Sequence, residues 1–167
     1  HGPVFGGTRL DAGTALLVKA LDRGLPPATP GRRALDLGCG SGILASWLAK
    51  RGWDAAASDV SRAAVASTLL TAEANGVRVE AVQSDGLLGV PPASLDLIVT
   101  NPPFHVGAAK DSTPTLEMIA DARAALAPGG EFWCVFNSHL PYLVALHRDI
   151  GPTAIVARDR SYTVTRS

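Results

Sequence analysis

At 167 residues, with 47% hydrophobic and 18% charged residues, the chain has the size and composition of a globular domain with a substantial core, and it is too apolar for disorder. Fifteen basic residues balance fifteen acidic ones, so no strong overall field would draw in a polyanion, and a nucleic-acid partner would have to be gripped by a local patch or by a further segment. No apolar run approaches the roughly 18 residues of a membrane span, no signal peptide is visible, and the two cysteines, Cys39 and Cys134, offer neither a disulfide framework nor zinc spacing, which fits a reducing, cytoplasmic compartment with no metal.

A short amphipathic helix is predicted over residues 12–22, followed by Leu25-Pro26-Pro27-Ala28-Thr29-Pro30-Gly31, the one stretch with the composition of a linker. Residues 34–37 read as a buried strand that runs into a glycine turn and then a helix over 43–51. A second strand covers 55–58 and ends at Asp59. Ser61 is a good N-cap for a helix that stops at Asn75-Gly76. Residues 77–82 and 95–100 read as the third and fourth strands. Thr113-Pro114 opens another helix, which runs to about residue 126. Pro128-Gly129-Gly130 turns the chain into a fifth strand over 131–136, a helix follows over 141–148, and 154–157 with 162–165 form a closing hairpin around Asp159-Arg160. Strands alternating with helices imply right-handed crossovers and an α/β, three-layer, doubly wound Rossmann-like fold with a seven-stranded, mostly parallel sheet. The hairpin makes the last strand antiparallel, and the expectation is that it lies at an edge. Residues 1–30 are expected to be an N-terminal segment whose short helix packs on a catalytic domain spanning 31–167.

The string Asp36-Leu37-Gly38-Cys39-Gly40-Ser41-Gly42 falls where the first strand meets its helix, on the side where doubly wound sheets bind ligands. Glycines there permit positive φ and let the backbone approach a ligand closely. Asp59, with Val60 beside it, ends the second strand, where a carboxylate can accept from both hydroxyls of a ribose. Asp85, in Ser84-Asp85-Gly86 after the third strand, is placed to accept from an adenine amino group. These positions predict an adenosine-type cofactor. Gly40-x-Gly42-x-x-Ala45 formally satisfies the dinucleotide fingerprint, so a nicotinamide or flavin enzyme has to be weighed. Against it, the strand ends before that fingerprint begins, and Asp36 would repel a pyrophosphate while suiting an ammonium group.

Asn101-Pro102-Pro103-Phe104 follows the fourth strand. The lone pair of an exocyclic base amine or an amide nitrogen is conjugated and poorly nucleophilic. The Asn101 side-chain oxygen and the Pro102 carbonyl can accept its two N–H groups and favour a pyramidal nitrogen. The prolines stiffen that carbonyl, and Phe104 offers a π-face for a planar substrate, with Pro103 and His105 as further substrate contacts. No general base is needed when a sulfonium is the leaving group.

The first string resembles the acid-x-Gly-x-Gly-x-Gly signature of class I S-adenosylmethionine methyltransferases. That resemblance implies that Asp36 and the glycines, with Cys39 and Asn101, hold the methionine end, Asp59 and Val60 the ribose, and Ser84, Asp85 and Gly86 the adenine. S-adenosylhomocysteine would be the product. His105 and Gly107, with Phe5, Leu10-Asp11-x-Gly13-Thr14 upstream and Asn137-x-x-Leu140-Pro141-Tyr142 downstream, are similar to bacterial ribosomal RNA guanine-N2 methyltransferases of the methyltransferase small domain group, the 16S type more closely than the 23S type. In that family the catalytic half follows an N-terminal half of related fold. The opening at His1 without Met therefore suggests a catalytic fragment, with RNA grip in the other half and ribosomal RNA or an assembled subunit as partner.

Other readings remain open. The same motifs suit a 23S guanine, an adenine N6 or a protein glutamine as acceptor, and a non-catalytic adenosine-cofactor-binding module would also keep the glycine turn. Asp11 and Gly13 are either pocket residues or an ordinary helix start. Cys39 is expected to be a small filler, Trp47 and Trp53 packing aromatics, and His139 and His147 surface or capping groups. Arg32, Arg33, Arg158, Arg160 and Arg166 are candidates for a basic rim.

Overall fold

The computed structural model of the protein describes residues 10–102 and 113–167. Its elements in chain order are α1 (Ala12–Gly24), β1 (Arg33–Leu37), α2 (Ile43–Lys50), β2 (Asp54–Asp59), α3 (Arg62–Ala74), β3 (Glu80–Gln83), β4 (Leu95–Thr100), α4 (Thr113–Ala125), β5 (Leu126–Asn137), α5 (Tyr142–Asp149), β6 (Ala154–Arg158) and β7 (Tyr162–Arg166). One seven-stranded sheet has the order β3-β2-β1-β4-β5-β7-β6. Strand order reverses between β1 and β4, and in doubly wound sheets the crevice opens at that reversal. All pairings are parallel except those of β7 with β5 and β6. The antiparallel strand is thus the last in sequence, as expected. It is not an edge strand, however: the hairpin inserts β7 beside β5 and leaves β6 outside.

Side chains on the central strands alternate between two cores. On β5, Trp133 and Val135 face a core with Leu17, Leu21, Leu48 and Val99, whereas Phe132, Cys134 and Phe136 face one with Leu35, Ile98, Ile119 and Leu146. The period of two in a strand sends successive residues to opposite faces. The stripe Thr14, Leu17, Val18 and Leu21 on α1 is buried at helical spacing, so the N-terminal helix shares the main core instead of standing apart from it. Among the described residues no helix is long and apolar enough to cross a membrane.

Three departures from the sequence expectation have identifiable hydrogen-bonding causes. β3 begins at Glu80 and not at Val77, because Val77 N–H bonds to Ala72 O at 3.0 Å and Gly76 N–H to Glu73 O at 3.0 Å, with Gly76 at φ 65°. This is the Schellman closure of α3, and it takes Val77 into the helix stop. Pro128-Gly129-Gly130 does not precede the fifth strand but bulges within it: Leu95 pairs with Leu126, yet Leu97 pairs with Glu131. The Pro-rich stretch is a strap, not a free linker. Arg51 Nη2 donates to Leu25 O at 3.1 Å, Ala28 N–H to Arg51 O at 3.1 Å, and Arg51 Nη1 to Asp22 at 3.1 Å, with the guanidinium 4.8 Å from the Trp47 ring centre.

One planar guanidinium thereby joins α1, the strap and α2, which a point charge on a lysine cannot reproduce. Arg51→Ala is expected to lower the unfolding free energy by about 1–3 kcal/mol in urea denaturation, more than an exposed ion pair is worth. Arg51→Lys should recover less than half of that loss. Full recovery in the lysine variant would show that only the charge matters.

Candidate functional site

The register of the sheet sets the site. Leu37 lies level with Ser58 on β2 and with Thr100 on β4, and Asp59 lies level with Gln83 on β3. The glycine turn, Asp59, the Ser84 loop and Asn101 therefore leave the sheet along one rim. Buried Thr100 Oγ1 donates to Leu37 O at 2.8 Å, and Gly38 N–H and Cys39 N–H both donate to Ser58 O at 2.9 Å, which ties the turn to both neighbouring strands. At Gly40, with φ 54°, a Cβ would project into open space, on the side where a ligand can approach. Gly42 has the opposite reason to be glycine. Its φ is 80°, and a Cβ there would lie 2.6 Å from Thr68 Cγ2, so α2 packs on α3 with no room for a side chain.

Two carboxylates frame the turn. Asp59 accepts from Gly40 N–H at 3.0 Å through one oxygen and from Ser61 N–H at 2.9 Å through the other. Each oxygen keeps a lone pair for a further donor. Asp36 is 1% exposed and accepts from Ala45 N–H at 3.0 Å. Burial, with the nearby Asp59 charge adding to it, pushes its carboxyl up to about 8 despite the Ala45 hydrogen bond. Cys39 is buried, and burial pushes its thiol up to about 11, which suits the expected filler and not a nucleophile.

Asn101 leaves β4 beside this turn. Its Nδ2 donates to Thr14 Oγ1 at 3.0 Å and lies 3.3 Å from Asp11 Oδ2. Asp11 caps α1 through Gly13 N–H at 3.0 Å and accepts from Thr14 Oγ1 at 2.5 Å. Two cavities meet at Asn101 and Asp11. One, of about 200 Å³, is lined by Asp36, Gly38, Cys39, Gly40 and Thr14 among others. The second, of about 280 Å³, lies between Pro102, Phe136, Asn137, Leu140, Tyr142 and Tyr162. A larger, more open depression of about 580 Å³, bounded by Trp53, Asp54, Arg78 and Glu80, lies at the opposite end of β2 and contains none of the motif residues.

The structure therefore brings Asp36, Gly38, Cys39, Gly40 and Asn101 around one cavity and Pro102 onto the other. Gly42 supports the turn from behind. Asp59, Val60, Ser84, Asp85 and Gly86 do not line the first cavity and follow it along the rim. There Ser84 N–H bonds to Asp59 O at 2.9 Å, and Gln83 Nε2 donates to Val60 O at 3.1 Å. Val60 and Leu88 are apolar yet 63% and 77% exposed on that stretch. Pro103, Phe104, His105 and Gly107, like Phe5, lie outside the described residues. Sequence reasoning missed Thr14 as a partner of Asn101. It quoted Asn137 and Tyr142 only as marks of resemblance, and gave Tyr162 no role.

Trp53 is buried and Trp47 packs against the main core, both as expected. His139 and His147 are exposed. The five arginines make no single rim. Arg32 and Arg33 stand at the start of β1, beside Asp96 at 3.6 Å and Asp54 at 3.9 Å. Arg158 and Arg160 belong to the hairpin at the other end of the sheet, and Arg166 lies over the Trp133 ring.

The model of the methyltransferase small domain family matches residues 1–166. A ribosomal RNA small subunit methyltransferase C of Chromohalobacter salexigens is 46% identical over 165 residues, covering 98% of this chain and 49% of that protein. A ribosomal RNA large subunit methyltransferase G of Streptomyces coelicolor is 41% identical over 171 residues, covering all of this chain and 44% of that protein. Among solved structures, a T. thermophilus 16S rRNA N2 methyltransferase in complex with AdoMet and guanosine superposes with a TM-score of 0.83 at 34% identity, over 98% of this chain and 44% of that one. The chain spans about half the length of the curated relatives it matches.

The raised Asp36 carboxyl has a consequence for stability. An unfolded chain ionises Asp36 near the ordinary 3.8, whereas the folded one keeps the proton until about 8. The native state binds the extra proton between those values, so this group's contribution falls as pH rises from about 4 to about 8 and stays unfavourable above. In urea denaturation without ligand, Asp36→Asn is expected to gain on the wild type between pH 5 and pH 9 by more than about 1.4 kcal/mol. A difference that does not change with pH would contradict the assignment.

Proposed function

The chain belongs to the methyltransferase small domain family, and from that premise we propose that it transfers a methyl group from S-adenosylmethionine to the exocyclic N2 amine of a guanine in ribosomal RNA, of the 16S type. The observation that carries this reading is the meeting of two cavities at Asn101, one beside a buried carboxylate and a glycine turn, the other walled by aromatic rings and amides. The first cavity fits the donor. Asp36 is a buried carboxylate with a single backbone partner, which favours a cationic ligand group such as an ammonium, and the open side of Gly40 leaves room against the backbone. Asp59 keeps acceptor capacity for ribose hydroxyls, Asp85 is exposed for an amino group, and the exposed apolar side chains of Val60 and Leu88 on the same stretch suit contact with a flat base.

Bound there, S-adenosylmethionine supplies a methyl group on a sulfonium, an electrophile that needs no further activation. The residues of this chain then do two things. Asp36, the glycine turn and Asp59 fix the donor's orientation, and Asn101 Oδ1 with Pro102 O accepts the two N–H groups of the acceptor amine, so that its lone pair localises toward the methyl carbon. As the C–N bond forms and the S–C bond breaks, the positive charge passes to the acceptor nitrogen, which becomes acidic and releases its proton to water. Tyr142 and Phe136, whose rings meet edge-on with centres 5.4 Å apart, and Tyr162 wall the slot that would take the base. A guanine in RNA enters it only when unpaired or turned out of its stack.

The resemblance to a large subunit methyltransferase keeps a 23S guanine as the second reading. The test is tritium transfer to small and large ribosomal subunits lacking the modification, with release factor and DNA as controls and the product nucleoside identified by mass. N2-methylguanosine from the small subunit alone is expected. Transfer only to the large subunit, protein or DNA would replace the acceptor, and binding of S-adenosylhomocysteine without any transfer would make the chain a cofactor-binding module. Asn101→Ala is expected to retain S-adenosylhomocysteine affinity in calorimetry and to lose about 100-fold or more in transfer rate. Turnover equal to the wild type would remove Asn101 from the chemistry.

A further inference from the structure

The N-terminus of α1 touches the loop after β4 across nearly 90 residues of sequence, and it does so through one amide. Asn101 Nδ2 lies 3.0 Å from Thr14 Oγ1 and 3.3 Å from Asp11 Oδ2, while Thr14 Oγ1 donates to Asp11 Oδ2 at 2.5 Å. We propose that Thr14 and Asp11 are positioning residues for the acceptor site, gripping the NH₂ end of Asn101 so that its Oδ1 is held toward the acceptor amine. This rests on the reading above, in which Asn101 Oδ1 accepts from that amine.

The polarity of the contact decides the orientation. An ionised carboxylate only accepts, so the NH₂ end of Asn101 is the end that can face Asp11. The one Thr14 hydroxyl proton goes to Asp11, which leaves the oxygen's lone pairs to receive an Asn101 N–H. The terminal torsion of an Asn side chain is broad and roughly two-fold, so an unanchored amide turns over easily. The inverted amide would set NH₂ against NH₂ and oppose the pyramidal nitrogen that transfer requires. Gly13 permits the approach. A Cβ there would lie 3.3 Å from Asn101 Nδ2 and 3.1 Å from Tyr162 Cε1, so a side chain would push the α1 terminus off both. Asp11 also caps α1, which makes Thr14 the cleaner probe.

Thr14→Val keeps the shape and removes the hydroxyl, and Thr14→Ser restores the hydroxyl. Three measurements on the full chain decide the matter: hydrogen exchange of the Asn101 side-chain amide by NMR without substrate, calorimetry with S-adenosylhomocysteine, and steady-state transfer to unmodified small subunits. In Thr14→Val, exchange is expected to speed up about tenfold and kcat to fall about tenfold, with KM and S-adenosylhomocysteine affinity within about twofold of wild type. Thr14→Ser should return both rates to within about threefold. Unchanged exchange or unchanged kcat in Thr14→Val overturns the proposal. So does a loss of S-adenosylhomocysteine affinity that matches the loss of kcat, since Thr14 would then be a cofactor contact. If the wild type transfers no methyl group to any subunit, the functional reading fails, and the exchange comparison still decides whether Thr14 holds the amide.

Discussion

Leu37 stands level with Ser58 on one side and with Thr100 on the other, and the rest of the site depends on that alignment. Slipping one parallel pair by a single residue would turn every side chain of a strand to the other face. Here the register is fixed where the chain leaves the sheet. Ser58 O receives two N–H groups of the glycine turn, and the Thr100 hydroxyl closes on Leu37 O. Both contacts are buried or partly buried, where breaking one strands a polar group at a cost of about 1–3 kcal/mol. The glycine turn beside the first cavity and Asn101 and Pro102 beside the second are therefore parts of one rim.

Electrostatics distinguishes the two cavities. The formal charge of the chain is zero, but Asp36 and Asp59 both approach the glycine turn, and neither forms an ion pair among the described side chains. Holding Asp36 in the interior raises its carboxyl and costs stability in the unliganded protein. A ligand carrying an ammonium and a sulfonium relieves that cost, whereas a pyrophosphate would deepen it. The second cavity, proposed for the acceptor, is lined by Asp11, whose carboxylate already accepts from Gly13 N–H and Thr14 Oγ1. Its other walls are mainly rings and amides, and the Asn101 amide stands at its mouth against Thr14 and Asp11.

The elements legible in the sequence were those specified locally. β4 was read at its full extent because six consecutive residues of a buried parallel strand announce themselves, and the Ser61 cap is seen as read, accepting from Ala64 N–H at 3.2 Å. What escaped was set by backbone bonding at one helix end and otherwise by contacts distant in sequence. The Schellman closure recruits Val77 although its side chain reads as strand. Pro128-Gly129-Gly130 stays within β5 because Leu126 already pairs with Leu95. The position of β7 depends on its pairing with β5 across a helix, and the strap depends on Arg51 reaching back to Leu25. The motif residues were found because their chemistry is written in consecutive positions. Thr14, quoted only as a mark of resemblance, and Tyr162 were given no role, because each joins the site from an element far away in sequence.

The most direct test of the account is a crystal structure of this chain with S-adenosylhomocysteine and guanosine. The thioether sulfur is expected beside Asp36 and the glycine turn, with the guanine N2 roughly 5 Å from it, close enough for one methyl carbon to sit at attack distance from the nitrogen. Asn101 Oδ1 and Pro102 O should both lie within hydrogen-bond reach of N2. A guanine that stacks in the slot with its O6 or N7 edge toward the sulfur, or one that binds away from Asn101, would contradict it.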